Sequence, residues 1–185
     1  MKNKITKEHK KLVIFGAGAG CRIILNILDE TNIYNTVGII EKKNYKNKAG
    51  DTILGDDSKI PRLIDSGIKY AAISIGNPKI RKKIRLKCEK YNIKLITLIS
   101  KKAIVSKNAK IGKGTIILPG ATIYDNPIIK DNCWVGVGAL VTHDTIIGKD
   151  CMIGGGSKIG AYSELKNCVT VGWGANIGLN LKIKE

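Results

Sequence analysis

The feature that most constrains this chain is a six-residue repeat in its second half. A branched aliphatic residue recurs at every sixth place from Val105 to Ile183, over fourteen consecutive positions without an insertion, and Ile99 extends the phase backward. A small residue mostly stands two places earlier, as at Ala121 and Ala139. Because a period of six places no apolar stripe on a helix of about 3.6 residues per turn, the repeat is not helical.

Three such hexapeptides complete one coil of a three-sided prism, in which each repeat forms a short strand and a corner. The aliphatic side chain points inward and stacks on its counterpart one coil away. Glycine often follows the aliphatic, as at Gly112 and Gly148, and we expect it to supply unusual backbone torsions at the corners. The sequence therefore predicts a left-handed parallel β-helix over residues 98–185.

Residues 1–97 have a different organisation. An apolar strand over 12–15 runs into a glycine-rich turn and then an amphipathic helix over 21–29. Further strands are predicted over 37–40 and 71–75, and a helix runs from 78 to about 91. These elements predict a small Rossmann-like α/β domain with a parallel sheet, whose size suits one nucleotide or nucleotide sugar better than NAD.

The glycine-rich turn is a candidate phosphate site. Gly16 and Gly18 fit the first two glycines of GxGxxG, but Cys21 occupies the third position and Gly20 comes one place early. Glycines there let the backbone approach a phosphate at a helix N-terminus. The alternative is a tight strand-to-helix turn that binds nothing.

Other candidate substrate residues follow the next strands. Glu41 ends the second strand and could bind a ribose or sugar hydroxyl, or it could be a solvated acid. Gly76 and Asn77 end the third strand, where open α/β sheets bind ligands, although Asn77 would also cap the following helix. Arg81, one turn into that helix, is expected to be a surface charge.

His143 is the main candidate for catalysis. It is one of two histidines in the chain, and its place two residues after Val141 puts it at an outward-facing corner. A general base with a pKa near neutrality suits acyl transfer to an amine or hydroxyl, and Asp144 could orient the imidazole. A corner histidine without a role is the alternative. One prism histidine also excludes a zinc carbonic anhydrase of this architecture, which needs three, and no metal site is predicted.

Composition narrows the class of protein. The net charge of +17 could suggest nucleic acid, but the chain has no aromatic interleaving and no nucleic-acid module, so we expect a solvated lysine-rich surface. No apolar stretch is long enough for membrane insertion, and the N-terminus lacks the apolar core of a signal peptide, so a cytoplasmic protein is expected. Five cysteines without CxxC spacing are expected to be free and mostly buried.

The order of the segments FGAGAGCR, VGIIEK, LGDDSKIPRL, SIGNPKIRKKI, LITLIS and THDTIIG resembles the bacterial sugar acyltransferases that include sialic acid O-acetyltransferases and UDP-4-amino-sugar N-acetyltransferases. The resemblance covers almost the whole chain. It implies a homotrimer, a sugar-binding N-terminal domain and acetyl-CoA in the groove between adjacent prisms. It also implies that His143 is the base, that Asp144 polarises it, and that Gly16, Gly18 and Glu41 bind the nucleotide sugar.

The sequence departs from the family pattern at three places. The family turn G-x-G-G-H-G ends here in Ala19, Gly20 and Cys21, so the turn histidine is absent. A second histidine nine residues after the base corresponds to Met152, and the chain stops one or two coils early. The residues expected to contact the coenzyme in the groove are Met152, Gly154, Gly160, Ala161 and Trp173, although Trp173 could instead cover a coil face.

Together these observations predict an acetyl-CoA-dependent N-acetyltransferase that acts on the amine of a nucleotide-linked 4-amino-4,6-dideoxy sugar. O-acetylation of sialic acid or a related sugar is one alternative. A catalytically inactive trimer that only binds sugar is another. The sequence leaves the sugar, the acceptor atom and the length of the acyl chain open.

Overall fold

The structure, a computed structural model, describes residues 9–31, 33–42 and 52–184. Its first part is an α/β unit that alternates strands and helices. The elements in chain order are β1 (Lys10–Phe15), α1 (Ala19–Thr31), β2 (Tyr34–Ile40), β3 (Ile53–Gly55), a 3-10 turn (Asp57–Lys59), α2 (Ile60–Asp65), β4 (Tyr70–Ile73), α3 (Pro78–Lys90) and β5 (Lys94–Leu95). β3, α2 and β5 were not predicted from the sequence, because they are too short to show a period.

The five strands form one parallel sheet in the order β3-β2-β1-β4-β5. The chain leaves β1 toward β2 and leaves β4 in the opposite direction toward β5, so the order reverses between β1 and β4. Helix α1 packs on one side of the sheet through Ile24 and Leu28. Helices α2 and α3 pack on the other side through Ile60 and Ile84. The predicted α/β fold is confirmed.

The second part is the predicted prism. Its strands are β6 (Leu98–Ile99), β7 (Ile104–Val105), β8 (Lys110–Ile111), β9 (Ile116–Ile117), β10 (Thr122–Ile123), β11 (Ile128–Ile129), β12 (Trp134–Val135), β13 (Leu140–Val141), β14 (Ile146–Ile147), β15 (Met152–Ile153), β16 (Lys158–Ile159), β17 (Glu164–Leu165), β18 (Thr170–Val171), β19 (Asn176–Ile177) and β20 (Lys182–Ile183). They form three five-stranded parallel sheets. We call them the first face (β6, β9, β12, β15, β18), the second face (β7, β10, β13, β16, β19) and the third face (β8, β11, β14, β17, β20).

Each strand pairs with the strand 18 residues later, as Val141 does with Ile159. This register stacks the aliphatic of each repeat on its counterpart one coil away, and those from Ile117 to Val171 are buried. At the N-terminal end of the prism Ile99 is 40% exposed, because no coil precedes it. The left-handed β-helix predicted from the period of six is confirmed.

The corners differ from the prediction. The residue with positive φ lies three places after the aliphatic, as at Gly138 with φ 66°. The glycine directly after the aliphatic has an ordinary φ. A Cβ on Gly136 would lie 2.5 Å from the backbone nitrogen of Gly155 in the next coil. Gly112, Gly148, Gly154 and Gly160 lie equally close to the next coil. At these positions glycine is required by the close approach of successive coils, and the assignment of corner torsions to the glycine after the aliphatic was wrong.

The first face of the prism packs against the α/β unit. Leu98, Ile116 and Trp134 share a hydrophobic cluster with Ile24 of α1. Helix α3 adds a buried polar contact, in which the guanidinium of Arg81 donates to the backbone carbonyl of Asn132 at 2.7 and 3.1 Å.

Arg81 is fully buried, so its prediction as a surface charge was wrong. It also donates to the carbonyls of Ile73 and Ile75 at the end of β4, at 2.9 and 3.1 Å. Burial lowers the pKa of Arg81 to about 10. One turn later, Arg85 binds both carboxylate oxygens of Asp150 at 2.8 Å. These two arginines fix the orientation of the α/β unit on the prism.

Candidate functional site

The prism brings His143 and Asp144 together at the corner between the second and third faces. The Nδ1 atom of His143 lies 3.0 Å from Oδ2 of Asp144. The histidine side chain is 40% exposed, and Nε2 has no hydrogen-bond partner among the described residues. A carboxylate on Nδ1 favours the tautomer whose Nε2 can accept a proton, so the pair has the geometry of a general base.

A residue that the sequence analysis missed supports Asp144 from the coil below. The amide of Asn126 donates to Oδ1 of Asp144 at 2.6 Å. The hydrogen bonds from His143 and from Asn126 both lower the pKa of Asp144, so the carboxylate is ionised at neutral pH. Asn126 precedes Asp144 by 18 residues, the length of one coil, and that spacing is the signal in the sequence that could have identified it.

A second missed residue is Tyr162, one coil above Asp144. Its ring contacts the imidazole of His143 edge to face, with centroids 5.1 Å apart and planes at 85°. Its backbone N–H points at the carbonyl of His143 at 3.4 Å. The His143–Asp144 pair is therefore contacted from the coil below through Asn126 and from the coil above through Tyr162.

Beside His143 lies an open, mostly apolar cleft of about 290 Å³. Tyr124 and Leu140 line one end, and Ala161 and Leu179 line the other. Of the predicted groove residues, the structure brings Ala161 to His143, and Gly160 is its neighbour at the same corner. The apolar walls suit an acyl chain or an uncharged linker arm.

The other predicted groove residues lie elsewhere on this chain. Met152 faces the α/β unit from the first face, and a Cβ on Gly76 would lie 3.7 Å from its terminal methyl group. Gly154 and Trp173 lie at the corner between the first and second faces. The indole of Trp173 is 78% exposed and covers Gly155, where a Cβ would lie 2.6 Å from the ring.

The candidate sugar site lies at the carboxyl ends of β1 and β4, where the strand order reverses and open α/β sheets bind ligands. Gly16 has a φ of 99°, and a Cβ there would lie 2.7 Å from Ser74 and Ile75. Gly18 is exposed, with nothing within 4 Å of a Cβ, so a ligand can reach the turn. Gly20 instead makes room for the ring of Trp134, because a Cβ atom added at Gly20 would lie 2.8 Å from that ring.

Glu41 reaches this turn from the end of β2. Its carboxylate accepts the amide N–H of Ala17 at 2.9 Å and that of Lys42 at 2.8 Å. A carboxylate has about four lone-pair sites, so Glu41 can still accept a ligand hydroxyl. In Rossmann-type sheets an acid near the end of the second strand can hydrogen-bond a ribose, and Glu41 stands at the end of β2.

Gly76 and Asn77 lie at the end of β4, next to this turn in the sheet order. The side chain of Asn77 accepts the amides of Lys79 and Ile80 at 3.0 and 3.2 Å and caps α3. Its carboxamide oxygen is therefore used in the helix cap, while Gly76 remains exposed beside the turn.

A second cavity of about 240 Å³ extends from Glu41 along α3. Its floor is apolar, formed by Phe15, Ile40 and Ile84, and Asp56 and Lys83 stand at its rim. The lining of this cavity therefore combines apolar and charged side chains.

The sugar site and His143 of one chain lie on opposite sides of the prism. The α/β unit covers the first face, whereas His143 stands at the corner between the other two. In a triangular prism that corner is the edge opposite the first face. One chain by itself therefore does not bring its two candidate sites together.

The described residues contain no group of three or more His, Cys, Asp or Glu side chains that could hold a metal ion. None of their helices is long and apolar enough to cross a membrane.

Two known families match the sequence. The PglD N-terminal domain matches residues 11–87, and the bacterial transferase hexapeptide family, a unit of six repeats, matches residues 126–161. Comparison with curated protein sequences gave no match.

Several solved structures share the fold over nearly the whole chain. A histidine-to-alanine mutant of GDP-perosamine N-acetyltransferase from Caulobacter crescentus, in complex with CoA and GDP-perosamine, is 24% identical over 94% of this chain and 82% of that chain, with a TM-score of 0.88. The acetyltransferase domain of PglB from Neisseria gonorrhoeae is 21% identical over 96% of this chain and 97% of that chain, with a TM-score of 0.80. WeeI from Acinetobacter baumannii AYE is 16% identical over 94% of this chain and 91% of that chain, with a TM-score of 0.72.

The two family matches cover the two parts of the fold in the order in which they occur, and the solved structures repeat the whole arrangement. The chain therefore combines a PglD N-terminal domain with bacterial transferase hexapeptide repeats, and over nearly its whole length it shares the fold of these acetyltransferase structures.

Proposed function

We propose that this protein is an acetyl-CoA-dependent N-acetyltransferase that acts on the amine of a nucleotide-linked amino sugar, with His143 as general base. The observation that carries the proposal is the His143–Asp144 contact of 3.0 Å beside an apolar cleft. The similar structures support the substrates, since the Caulobacter crescentus protein was crystallised with CoA and GDP-perosamine. The PglB domain was crystallised with acetyl coenzyme A.

The chemistry needs one base that both accepts and returns a proton. As the sugar amine attacks the thioester carbonyl, a C–N bond forms and Nε2 of His143 takes a proton from the nitrogen. The C–S bond then breaks, and the imidazolium gives that proton to the leaving thiolate. Asp144 stabilises the imidazolium between the two steps. The products are the N-acetyl sugar and coenzyme A.

We assign the two substrates to separate parts of the fold. The apolar cleft of Leu140, Ala161 and Leu179 suits the uncharged arm that carries the thioester. The exposed turn at Gly18, together with Glu41, suits the diphosphate and ribose of a nucleotide sugar. Because these parts belong to structurally distinct units, we place the domain boundary between residues 97 and 98. We also propose that the reaction takes place in the cytoplasm.

The opposed positions of the two sites imply that copies of the chain cooperate. We propose a homotrimer in which the α/β unit of one chain presents sugar to His143 of the next. The distribution of exposed apolar side chains supports this arrangement. Ile104 and Leu179 are each 70% exposed, and Tyr124 and Tyr162 are 59% and 61% exposed. All four lie on the second face or at its corner with the third, and a neighbouring prism would bury them.

The test is release of free thiol from acetyl-CoA by the purified protein, offered UDP-, dTDP- and GDP-linked amino sugars and free sialic acid. We expect turnover with one amino sugar. We also expect His143→Ala to lower turnover at least about 100-fold without unfolding the protein, since loss of a general base has that effect and the corner is exposed. Equal activity of this variant would exclude His143 as the base. Turnover with sialic acid alone would establish O-acetylation instead.

A further inference from the structure

The corners of the prism contain two residues that do not suit their backbone conformation. From Gly114 onward, the residue three places after each aliphatic has a positive φ. At these positions the chain carries Gly114, Gly120, Asn126, Asn132, Gly138, Asp144, Asp150, Gly156, Tyr162, Cys168, Gly174 and Asn180. Glycine, asparagine and aspartate adopt this region at low cost. Tyr162, with φ 60°, and Cys168, with φ 64°, are the exceptions.

A bulky side chain in the left-handed region costs folding free energy and persists only where something compensates for it. Packing within the chain does not compensate at Tyr162, because the residue is 61% exposed in the single chain. Its described ring contact is with His143, edge to face at 5.1 Å. Strain of this kind is concentrated at functional sites.

The position of Tyr162 explains why a ring is useful there. Asp144 holds Nδ1 of His143 but does not fix the tilt of the imidazole plane, since the ring can swing about that hydrogen bond. Tyr162 stands one coil above Asp144 in the same corner column and meets the imidazole at 85°. Asn126, one coil below, holds the other oxygen of Asp144 at 2.6 Å. Asn126 in the coil below thus fixes the Asp144 carboxylate, and Tyr162 in the coil above limits the rotation of the His143 imidazole.

We propose that Tyr162 is a positioning residue, whose strained backbone is retained because its ring holds the imidazole of His143 in the orientation that acyl transfer requires. This inference rests on the proposed function in assigning that orientation a catalytic use. The contact between the rings does not depend on it. Tyr162 is expected to act through its ring and not through its hydroxyl.

The chain offers matched variants. Tyr162→Asn places at this corner a residue that three other corners already carry, and Tyr162→Phe keeps the ring. Cys168→Asn makes the same change at the next corner, away from His143. We expect both asparagine variants to unfold at a higher temperature than the wild type, by about 2 to 4 °C, because each removes strain.

Steady-state kinetics should distinguish the effect of Tyr162→Asn from that of Cys168→Asn. We expect Tyr162→Asn to lower kcat about 10- to 100-fold with little change in KM, because a misplaced catalytic group costs that much. Tyr162→Phe should restore most of the rate, and Cys168→Asn should match the wild type. A Tyr162→Asn variant as active as the wild type would overturn the inference. So would a less stable Tyr162→Asn variant, because its loss of rate would then be structural.

A readout independent of activity separates this inference from the proposed function. The chain has two histidines, so the imidazole Cε1–H signal of His143 can be assigned with a His9→Gln variant. The tyrosine ring should displace that signal in the wild type, and Tyr162→Asn, but not Cys168→Asn, should remove the displacement. An unchanged signal would exclude the ring contact. A changed signal in a protein without transferase activity would leave the contact established and refute the proposed function.

Discussion

At the scale of single residues, the site is built by stacking side chains from successive coils. His143 alone would be an exposed imidazole with free rotation. Asp144 adds a charge on Nδ1, and Asn126 fixes that charge by occupying the other carboxylate oxygen. Each supporting residue stands at a corner whose backbone conformation favours asparagine or aspartate, so the repeat itself provides the scaffold for the base.

Asp144→Asn tests the contribution of this carboxylate. The amide can keep the volume and the corner conformation, but it loses the charge that stabilises the imidazolium. We expect kcat to fall by about tenfold or more, with circular dichroism unchanged. Asp125→Asn is the matched control. Asp125 lies at the same corner one coil earlier, where it accepts hydrogen bonds from Ser106 and Asn108 and does not contact His143. Equal losses of kcat in Asp144→Asn and Asp125→Asn would show that any negative charge at this corner supports activity, so that the contact of Asp144 with His143 is not specifically required.

At the scale of elements, the prism could be predicted from its six-residue repeat. Features that depend on contacts between coils, or between the α/β unit and the prism, could not. The period of six was sufficient to predict the prism, since one aliphatic per repeat specifies every inward position. It did not show that glycine after the aliphatic is required by the next coil, as Gly136 is by Gly155. Likewise Arg81 resembles a surface residue of a lysine-rich helix, and only the fold shows that Asn132 covers it.

The candidate site shows the same limit. His143 and Asp144 could be predicted because they are adjacent in sequence and chemically distinctive. Tyr162 was missed although it lies one coil from Asp144, because its contact with His143 depends on a ring orientation and a torsion angle that the sequence does not reveal. Gly16 and Glu41 were assigned to one nucleotide-sugar site by the family resemblance, and in the fold they lie together because the carboxyl ends of parallel strands share one edge of a sheet. Their separation from His143 by the whole prism was visible only in the fold.

The contact between α3 and the prism should be essential to stability. Asp150 is 1% exposed, and it binds Arg85 through both oxygens and also accepts the amide of Asn132 at 2.7 Å. Asp150→Ala leaves a mostly buried guanidinium without that partner, which costs about 3 to 5 kcal/mol. Denaturant unfolding would measure the loss. Glu164→Ala, which removes an exposed pair with Lys166, should leave the unfolding midpoint unchanged. A small effect at Asp150 would show that Glu89 and solvent are sufficient to satisfy Arg85.

At the scale of the whole molecule, the proposed trimer would make activity a property of the assembly. The α/β unit is fixed to the first face by the Arg81 and Arg85 contacts, so it cannot move around the prism to reach its own His143. A base supplied by a neighbouring chain resolves this separation without any change within the chain. In a cyclic trimer the arrangement gives three equivalent sites, each with its sugar-binding turn from one chain and its histidine from the next.

Mixed trimers test this arrangement directly. Gly18→Phe should block the sugar site without disturbing the fold, since a Cβ at Gly18 meets nothing within 4 Å. His143→Ala removes the base. Each variant alone should be inactive and, by light scattering, trimeric. When the two are co-expressed with different tags and mixed trimers are purified through both, every such trimer has one junction with an intact turn facing an intact histidine. Its activity should therefore be about one third of the wild-type value whether the composition is two to one or one to two. If both sites of a reaction came from the same chain, no junction would be intact, and the mixed trimers would be as inactive as their parents.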